Sequence, residues 1–215
     1  IRENFNFSKN LIDTFFEAGL KNFVFIGTIN EYGENNGIVK ESKAPLGELR
    51  QYEKGKIKVG KYGKKASKKF KKNFIHIRMA NLFGPIKKKN SLIYSLHQSN
   101  KKNKNVKVSS LKFYRDYMHV DIASVSILKL LINVKHTCVV NIGSGTKIMM
   151  RKFVKEYWKR LNKNKNKIEF AVDEKSKTKN LGFYMSINKL QKITGENNKS
   201  TIIDQINSNI KNFKL

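Results

Sequence analysis

The chain has 215 residues, of which 39% are hydrophobic, and 45 Lys and Arg face only 16 Asp and Glu, which gives a formal net charge of +29. This length suits one large domain or two small ones, and the single cysteine, Cys138, excludes an internal disulfide and a cysteine-based metal site within one chain. No apolar run approaches the roughly 18 residues of a membrane span, and no secretory signal is visible, so we expect a cytoplasmic protein with no membrane partner.

The positive charge predicts salt-sensitive attraction to polyanions. Only six of the basic residues are arginine, and the lysines are spread over the whole chain. Dedicated nucleic-acid sites favour arginine, because its guanidinium makes bidentate contacts. We therefore expect no specific nucleic-acid partner, and a basic nucleic-acid-binding protein stays open as a less favoured alternative.

The first half of the chain alternates predicted helices with apolar strands. Helical spacing predicts a helix over 6–20, and the strand FVFIGT follows at once and ends in Thr28. After a polar loop, a second helix spans about 52–72, although each of its three glycines costs about 1 kcal/mol relative to alanine. The run FIHIRMANLFGP, residues 74–85, predicts a second buried strand that ends in a turn.

The second half continues the alternation. Its predicted elements are a helix over 91–103, the strand VKVSS, a helix over 120–134 capped by Asp121, the strand and turn CVVNIGSG, a helix over 147–162, and a mostly helical tail from 186. This order predicts an α/β fold with a parallel sheet. Ligands of such sheets bind beyond the carboxyl ends of the strands, which here carry Thr28, Asn81 and Asn141.

Tyr52 and Lys56 lie four residues apart on a predicted helix and therefore project from one face. An ammonium near a phenol favours the phenolate and lowers its pKa from about 10, which suits the pair to proton transfer. The spacing also arises by chance in a chain with many lysines. A helix face with a partly buried tyrosine and a solvated lysine is therefore the alternative.

Five motifs follow one another along the chain: a strand ending in Thr28 and followed by Tyr-Gly, Tyr52-x-x-x-Lys56, RMANLFGP, YRDYMHVDIA and VVNIGSG. In this order and spacing the chain resembles the extended short-chain dehydrogenase/reductase superfamily, and within it the NAD-dependent epimerase/dehydratase family of nucleotide-sugar enzymes. The resemblance implies a partial Rossmann-type parallel sheet, with its N-terminal strands absent, and a small C-terminal α+β substrate-binding domain. It assigns 1–84 and 120–145 to the NAD(P)-binding domain, and 85–119 and 146–215 to the nucleotide-sugar domain.

The resemblance also implies roles for individual residues: catalysis by Thr28, Tyr52 and Lys56, NAD or NADP binding by Tyr52, Lys56 and Met79, and nucleotide-sugar binding by Asn30, Asn81 and Arg115. Tyr52 would move the proton on a sugar oxygen while a hydride passes between the sugar carbon and the nicotinamide. Arg115 would bind the diphosphate through its guanidinium fork, and a surface ion pair with Asp116 is its alternative. The family often has a second arginine on the diphosphate, for which Lys177 is the nearest residue here.

Two departures from the family pattern change what we expect. Asn30 stands where family dehydratases carry an acid, and Glu31 is expected to point to the other side of an extended segment. Because elimination of water needs an acid and a base, we expect an epimerase or a keto-sugar reductase.

The second departure concerns the cofactor. The Gly-x-x-Gly-x-x-Gly fingerprint, whose glycines let the backbone approach a pyrophosphate, is absent from the sequence. We therefore expect a chain equivalent to the C-terminal two-thirds of an enzyme, with doubtful activity alone and an apolar open edge at FVFIGT that favours aggregation. A non-catalytic remnant, or one half of a split enzyme, is the alternative.

Partners and metals follow from the same residues. The family dimerises through the helix before the catalytic strand and the Tyr-Lys helix, and we expect lysines on the latter to weaken a homodimer. His76 is expected to be a core residue, and His97 and His136 have no partners at ligand spacing, so no metal site is predicted.

Overall fold

The computed structural model describes residues 2–85, 89, 91–162, 166–172, 182–195 and 200–213. In this part of the chain the α-helices are Arg2–Glu17 (α1), Gln51–Phe70 (α2), Leu92–Lys101 (α3), Val120–Asn133 (α4), Met150–Leu161 (α5), Asn188–Thr194 (α6) and Ile202–Asn212 (α7). A short 3-10 helix spans Ile29–Tyr32. The strands are Asn22–Ile26 (β1), Gly37–Val39 (β2), Asn73–Met79 (β3), Asn81–Phe83 (β4), Val106–Val108 (β5), Tyr114–Arg115 (β6), Tyr117–His119 (β7), Cys138–Ile142 (β8), Ile148–Met149 (β9), Ile168–Phe170 (β10) and Phe183–Met185 (β11).

A three-stranded parallel sheet in the order β1-β3-β8 forms the centre of the N-terminal part. Its middle strand is buried on both faces, and Ile75 and Ile77 have no exposed surface. Such continuous apolar runs are typical of parallel strands covered by helices on both sides. The sheet and its helices confirm the predicted α/β fold.

The two faces of the sheet are covered by different helices. On one face α1 and α2 pack over the strands through an aromatic cluster that includes Phe16 and Phe74. Gly63 of α2 allows this approach, because a Cβ there would lie 2.1 Å from the Phe74 ring. On the other face Leu130 of α4 and Leu190 of α6 pack against Ile75 and Ile77.

The C-terminal part has a core of its own. Helices α3, α5 and α7 pack together around Phe153, Tyr157, Trp158 and Ile206. Pairs of short strands connect this part to the sheet: β2 pairs with β11, and β4 with β7. The cleft described below lies among these connections.

Three local predictions were wrong. The run 74–85 is two strands, because after Met79 the chain leaves the central sheet and β4 pairs with β7 instead. The cap of α4 is His119, whose ring accepts a hydrogen bond from the amide of Asp121, so Asp121 lies in the first turn. The loop that follows Thr28 begins with the 3-10 helix and is not extended there.

In the described part of the chain, none of the helices combines the length and hydrophobicity that crossing a bilayer requires.

Candidate functional site

A cleft of about 660 Å³ lies beyond the carboxyl ends of the central strands. Three of the predicted site residues, Asn30, Asn81 and Arg115, line it together. They come from the 3-10 helix, β4 and β6, segments that lie far apart along the chain. Other residues in its wall are Glu34, Asn35, Glu48, Arg50, Glu53, Phe113 and Phe183.

Arg115 is the partly buried cation of this cleft. Its guanidinium lies 4.8 Å from the centre of the Phe113 ring, and one of its nitrogens donates to the carbonyl of Tyr114 at 3.2 Å. Burial lowers the pKa of this guanidinium from its ordinary value, but arginine remains protonated in proteins. The other N–H groups of the fork are those that a diphosphate would use.

Asp116 does not form the surface ion pair considered for Arg115, because it is fully buried. Its carboxylate accepts 2.7 Å hydrogen bonds from the amide and the hydroxyl of Ser144, and a 3.0 Å bond from the amide of Met185. Burial raises the pKa of this carboxyl. Asp116 therefore joins the Gly-Ser-Gly turn and β11 to β6, and it leaves Arg115 turned toward the cleft.

Acidic side chains also line the cleft, and one of them is compensated. The buried carboxylate of Glu53 accepts from the Arg50 side chain at 2.6 Å and 3.1 Å. That pairing opposes the effect of burial and lowers the pKa of Glu53. Because Glu53 is paired with Arg50, the Arg115 guanidinium is available to an anion in the cleft.

Tyr52 and Lys56 lie in the first turns of α2, at the wall of a smaller cavity of about 280 Å³ that is shared with Phe5, Phe7 and Phe25. The Lys56 ammonium donates to the carbonyl of Ile26 at 2.8 Å and lies 5.7 Å from the centre of the Tyr52 ring. Burial lowers the pKa of Lys56. The Tyr52 side chain is 57% exposed, so its hydroxyl is open to a ligand at the edge of the sheet.

Thr28 caps the 3-10 helix. Its Oγ1 accepts from the amide of Asn30 at 3.3 Å, which leaves the hydroxyl hydrogen available to donate.

Sequence reasoning missed Glu31, the partner of Thr28. The 3-10 helix turns the Glu31 carboxylate inward, where it accepts from the Thr28 amide at 2.9 Å. The expectation that Glu31 points away along an extended segment was therefore wrong. The signal that could have found it is the capping-box pattern, in which an acid stands three residues after a capping threonine.

Met79 lies apart from these residues. Its side chain is 8% exposed and belongs to the core cluster of the sheet, beside Ile77 and Ile142. Lys177 lies outside the described residues. Within the described ranges, no group of three or more His, Cys, Asp or Glu could hold a metal ion.

A parallel sheet between helices, with a hydroxyl, a Tyr-Lys pair and a polar cleft at its carboxyl end, defines an α/β protein of the Rossmann type. The sequence profile of the NAD dependent epimerase/dehydratase family matches residues 1–143, and the chain belongs to this family. No curated protein matches the chain.

Solved structures with a similar fold include several nucleotide-sugar enzymes. UDP-glucuronic acid 4-epimerase from Bacillus cereus, in complex with NAD, superimposes with a TM-score of 0.80 at 17% identity over 95% of this chain and 65% of its own. UDP-N-acetylglucosamine 4-epimerase from the same organism gives 0.82 at 20% identity over 98% and 71%. RMD from Pseudomonas aeruginosa, complexed with NADPH, gives 0.81 at 18% identity over 95% and 71%.

These identities are evidence for a shared fold, and the chain spans about two thirds of the length of these proteins.

The residues at the start of α2 fit one end of the family's cofactor. The Lys56 ammonium has three donors and uses one of them, among the described residues, for the Ile26 carbonyl; its other donors would suit ribose hydroxyls beside the exposed Tyr52. A glycine fingerprint for the pyrophosphate is not found in this sequence. The donors at the start of α2 therefore suit a ribose of the cofactor.

Proposed function

We propose that the chain binds a nucleotide sugar in the 660 Å³ cleft and carries the proton-transfer residues of an NAD(P)-dependent nucleotide-sugar epimerase or keto-sugar reductase. The observation that supports this most is the meeting of Asn30, Asn81 and Arg115 in one cleft. Three polar side chains from separate segments converge there, beside Thr28 and the 3-10 helix that it caps. A small number of polar groups that converge in a concave site is typical of a small-molecule site.

In this proposal each side chain has one task. Arg115 binds the diphosphate through the free side of its fork, and Asn81 and Asn30 contact the nucleotide sugar. Thr28 donates its hydroxyl hydrogen to the sugar oxygen at the reacting carbon, and Tyr52 takes up or returns the proton on that oxygen. Lys56 keeps a positive charge near the phenol, which favours the phenolate. When NAD or NADP is bound, it supplies the hydride chemistry.

An epimerase or a reductase fits these residues better than a dehydratase. Asn30 lines the cleft, and by the family resemblance it stands where a dehydratase carries an acid, whereas an amide cannot transfer the proton. The neighbouring Glu31 carboxylate is buried and accepts hydrogen bonds from Thr28, His76 and Arg78. These hydrogen bonds hold the carboxylate inside the fold, and Glu31 is not among the residues that line the cleft.

Calorimetric titration of the chain with UDP-glucose tests the site. We expect saturable binding that weakens at least about tenfold in Arg115→Met, because a charge-assisted bidentate contact is lost. The matched control is Arg151→Met, since Arg151 also lies over an aromatic ring, 4.3 Å from the centre of Phe170, but outside the cleft. Absence of binding to the wild-type chain, or equal affinity in both variants, would contradict the proposal.

The alternative is a non-catalytic remnant or one half of a split enzyme. It is supported by β1, which pairs with β3 but with no second strand among the described residues. Binding of UDP-glucose by this chain, without NAD binding or turnover, would favour the alternative. Turnover by the chain alone would exclude it.

A further inference from the structure

Glu31 lies at the centre of a buried polar cluster behind Thr28. One carboxylate oxygen accepts from the Thr28 amide at 2.9 Å and lies 3.1 Å from Nε2 of His76. The other accepts from Nε of Arg78 at 3.3 Å. Glu31 has no exposed surface, and His76 is 6% exposed. A buried carboxylate needs such partners, because an unpaired one carries a large desolvation cost.

Two glycines make room for this cluster. A Cβ at Gly27 would lie 2.2 Å from the Glu31 carboxylate and 2.5 Å from Nε2 of His76. A Cβ at Gly60 of α2 would lie 2.3 Å from the other ring nitrogen of His76. Glu31 and His76 are therefore held from the 3-10 helix, β3 and α2 at once, and this leaves the carboxylate little freedom to move.

The cluster also borders a second cavity of about 460 Å³, whose α2 residues Ile57, Gly60 and Lys64 follow those of the first cleft along the helix. Glu31, His76 and Arg78 form part of its wall, together with Glu41, Lys61 and Lys64. The guanidinium of Arg78 lies 4.4 Å from the centre of the Tyr32 ring and donates to the carbonyl of Glu41 at 3.1 Å. In a variant without the Glu31 side chain, this neighbouring cavity is expected to open onto the vacated position.

We propose that Glu31 is a positioning residue for Thr28. The carboxylate fixes the Thr28 amide, and with it the direction of the hydroxyl that faces the sugar. His76 and Arg78 hold the carboxylate in place from β3. The inference rests on the proposed function in one respect, namely that Thr28 contacts the sugar of a nucleotide sugar. The anchoring of the Thr28 backbone by Glu31 is independent of that function.

The first test is amide hydrogen exchange measured by NMR on the whole chain. The Thr28 amide of the wild type is expected to be protected, although Thr28 itself is only partly buried. In Glu31→Gln it exchanges at least about tenfold faster, because the charged acceptor is lost. The control is Val154→Ala, which opens a fully buried site in α5 and destabilises the fold without touching the turn. An unprotected wild-type Thr28 amide, or equal exchange in both variants, would overturn the proposal.

The second test compares UDP-glucose with UDP. Glu31→Gln is expected to abolish the affinity that the sugar adds, at least about threefold, and to leave the affinity for UDP unchanged. A purely structural role would weaken both ligands alike or neither, and either result overturns the positioning role. If the wild-type chain binds neither ligand, the proposed function fails, and the Thr28 amide still decides whether Glu31 holds the turn.

Chemical rescue provides a third measurement. In Glu31→Ala, formate at constant ionic strength is expected to restore part of the Thr28 amide protection, since it can enter the second cavity and replace the carboxylate between His76 and Arg78. Chloride at the same concentration is the control. Restoration by formate alone supports the anchor, whereas equal effects of both anions contradict it.

Discussion

The hydroxyl of Tyr32 donates a 2.7 Å hydrogen bond to the side-chain carbonyl of Asn141, and both residues are fully buried. The side-chain NH₂ group of Asn141 donates in turn to the carbonyls of Val39 and Ser186. One asparagine at the end of β8 thus joins the Tyr-Gly turn, β2 and the segment before α6. These contacts connect the elements that surround the 660 Å³ cleft.

Tyr32→Phe is therefore expected to lower the free energy of unfolding by about 1–3 kcal/mol, because the Asn141 carbonyl loses its partner in a buried site. Tyr52→Phe is the matched control. Its side chain is 57% exposed, so we expect a change within about 0.5 kcal/mol. Urea denaturation of both variants measures the difference. Equal stabilities would show that the buried hydrogen bond contributes nothing measurable.

Much of the fold could be predicted because its signals are local. Continuous apolar runs and helical spacing indicated the central strands and most helices. The order of the motifs also carries information about contacts: Tyr32 contacts Asn141, and Asp116 contacts Ser144, so motifs far apart along the chain pack together. The rule that ligands bind at the carboxyl ends of parallel strands indicated Asn81. Asn30 and Arg115 were expected from the family resemblance alone, and Arg115 lies on β6, which pairs antiparallel with β9.

The remainder depends on tertiary contacts that the sequence does not reveal. Glu31 was misplaced because a polar stretch after a strand does not disclose whether it is extended or helical. Its partners His76 and Arg78 lie on another strand, 45 and 47 residues away. The pairing of β4 with β7 was missed for a related reason, since strands of three residues show no periodicity.

Gly60→Ala tests the packing of α2 against the buried cluster. In an ordinary helix this change stabilises by about 1 kcal/mol. Here the new methyl group would lie 2.3 Å from the His76 ring, so we expect destabilisation by about 1–3 kcal/mol, as for overpacking in a core. The control Lys65→Ala, on an exposed part of the same helix, should change stability by at most about 0.5 kcal/mol. Thermal unfolding gives both values, and a stabilised Gly60→Ala would contradict this packing.

Because the His97 ring is buried, we expect the free energy of unfolding to fall in mild acid. Its Nε2 lies 2.7 Å from the Tyr157 hydroxyl, its ring stacks on Phe213, and burial lowers its pKa to about 4 from an ordinary 6.5. Below pH 6.5 the His97 ring of the unfolded chain is protonated, whereas in the folded chain it stays neutral until about pH 4. The free energy of unfolding therefore falls across this window.

Compared with His97→Gln, the wild type should lose about 1–2 kcal/mol more between pH 6.5 and 4, a value reduced for residual solvent screening. Urea titrations at several pH values measure this difference. Parallel pH profiles of the two proteins would show that His97 does not remain neutral in the fold.

Among the described residues β1 pairs on one side only, and its other edge predicts self-association. Ile26 at its end is 39% exposed, and Phe7 and Phe15 of the adjoining α1 are 69% and 43% exposed. A strand with an unpaired apolar edge favours pairing with another chain. Ile26→Lys is therefore expected to weaken association at least about tenfold in sedimentation velocity experiments, because a charge at the edge opposes pairing. Val172→Lys is the control, since Val172 is 86% exposed in the C-terminal part and away from this edge.

Salt is expected to strengthen self-association, whereas it is expected to weaken the binding of polyanions. Lys56 and Lys58 of α2 lie next to this surface, on Ile26 and Phe5. Screening of the repulsion between such lysines on two chains is expected to strengthen association as the ionic strength rises from about 0.05 to 0.5 M. A wild-type chain that stays monomeric at all concentrations and salts, or an Ile26→Lys variant that associates like the wild type, would show that β1 does not mediate contacts between chains.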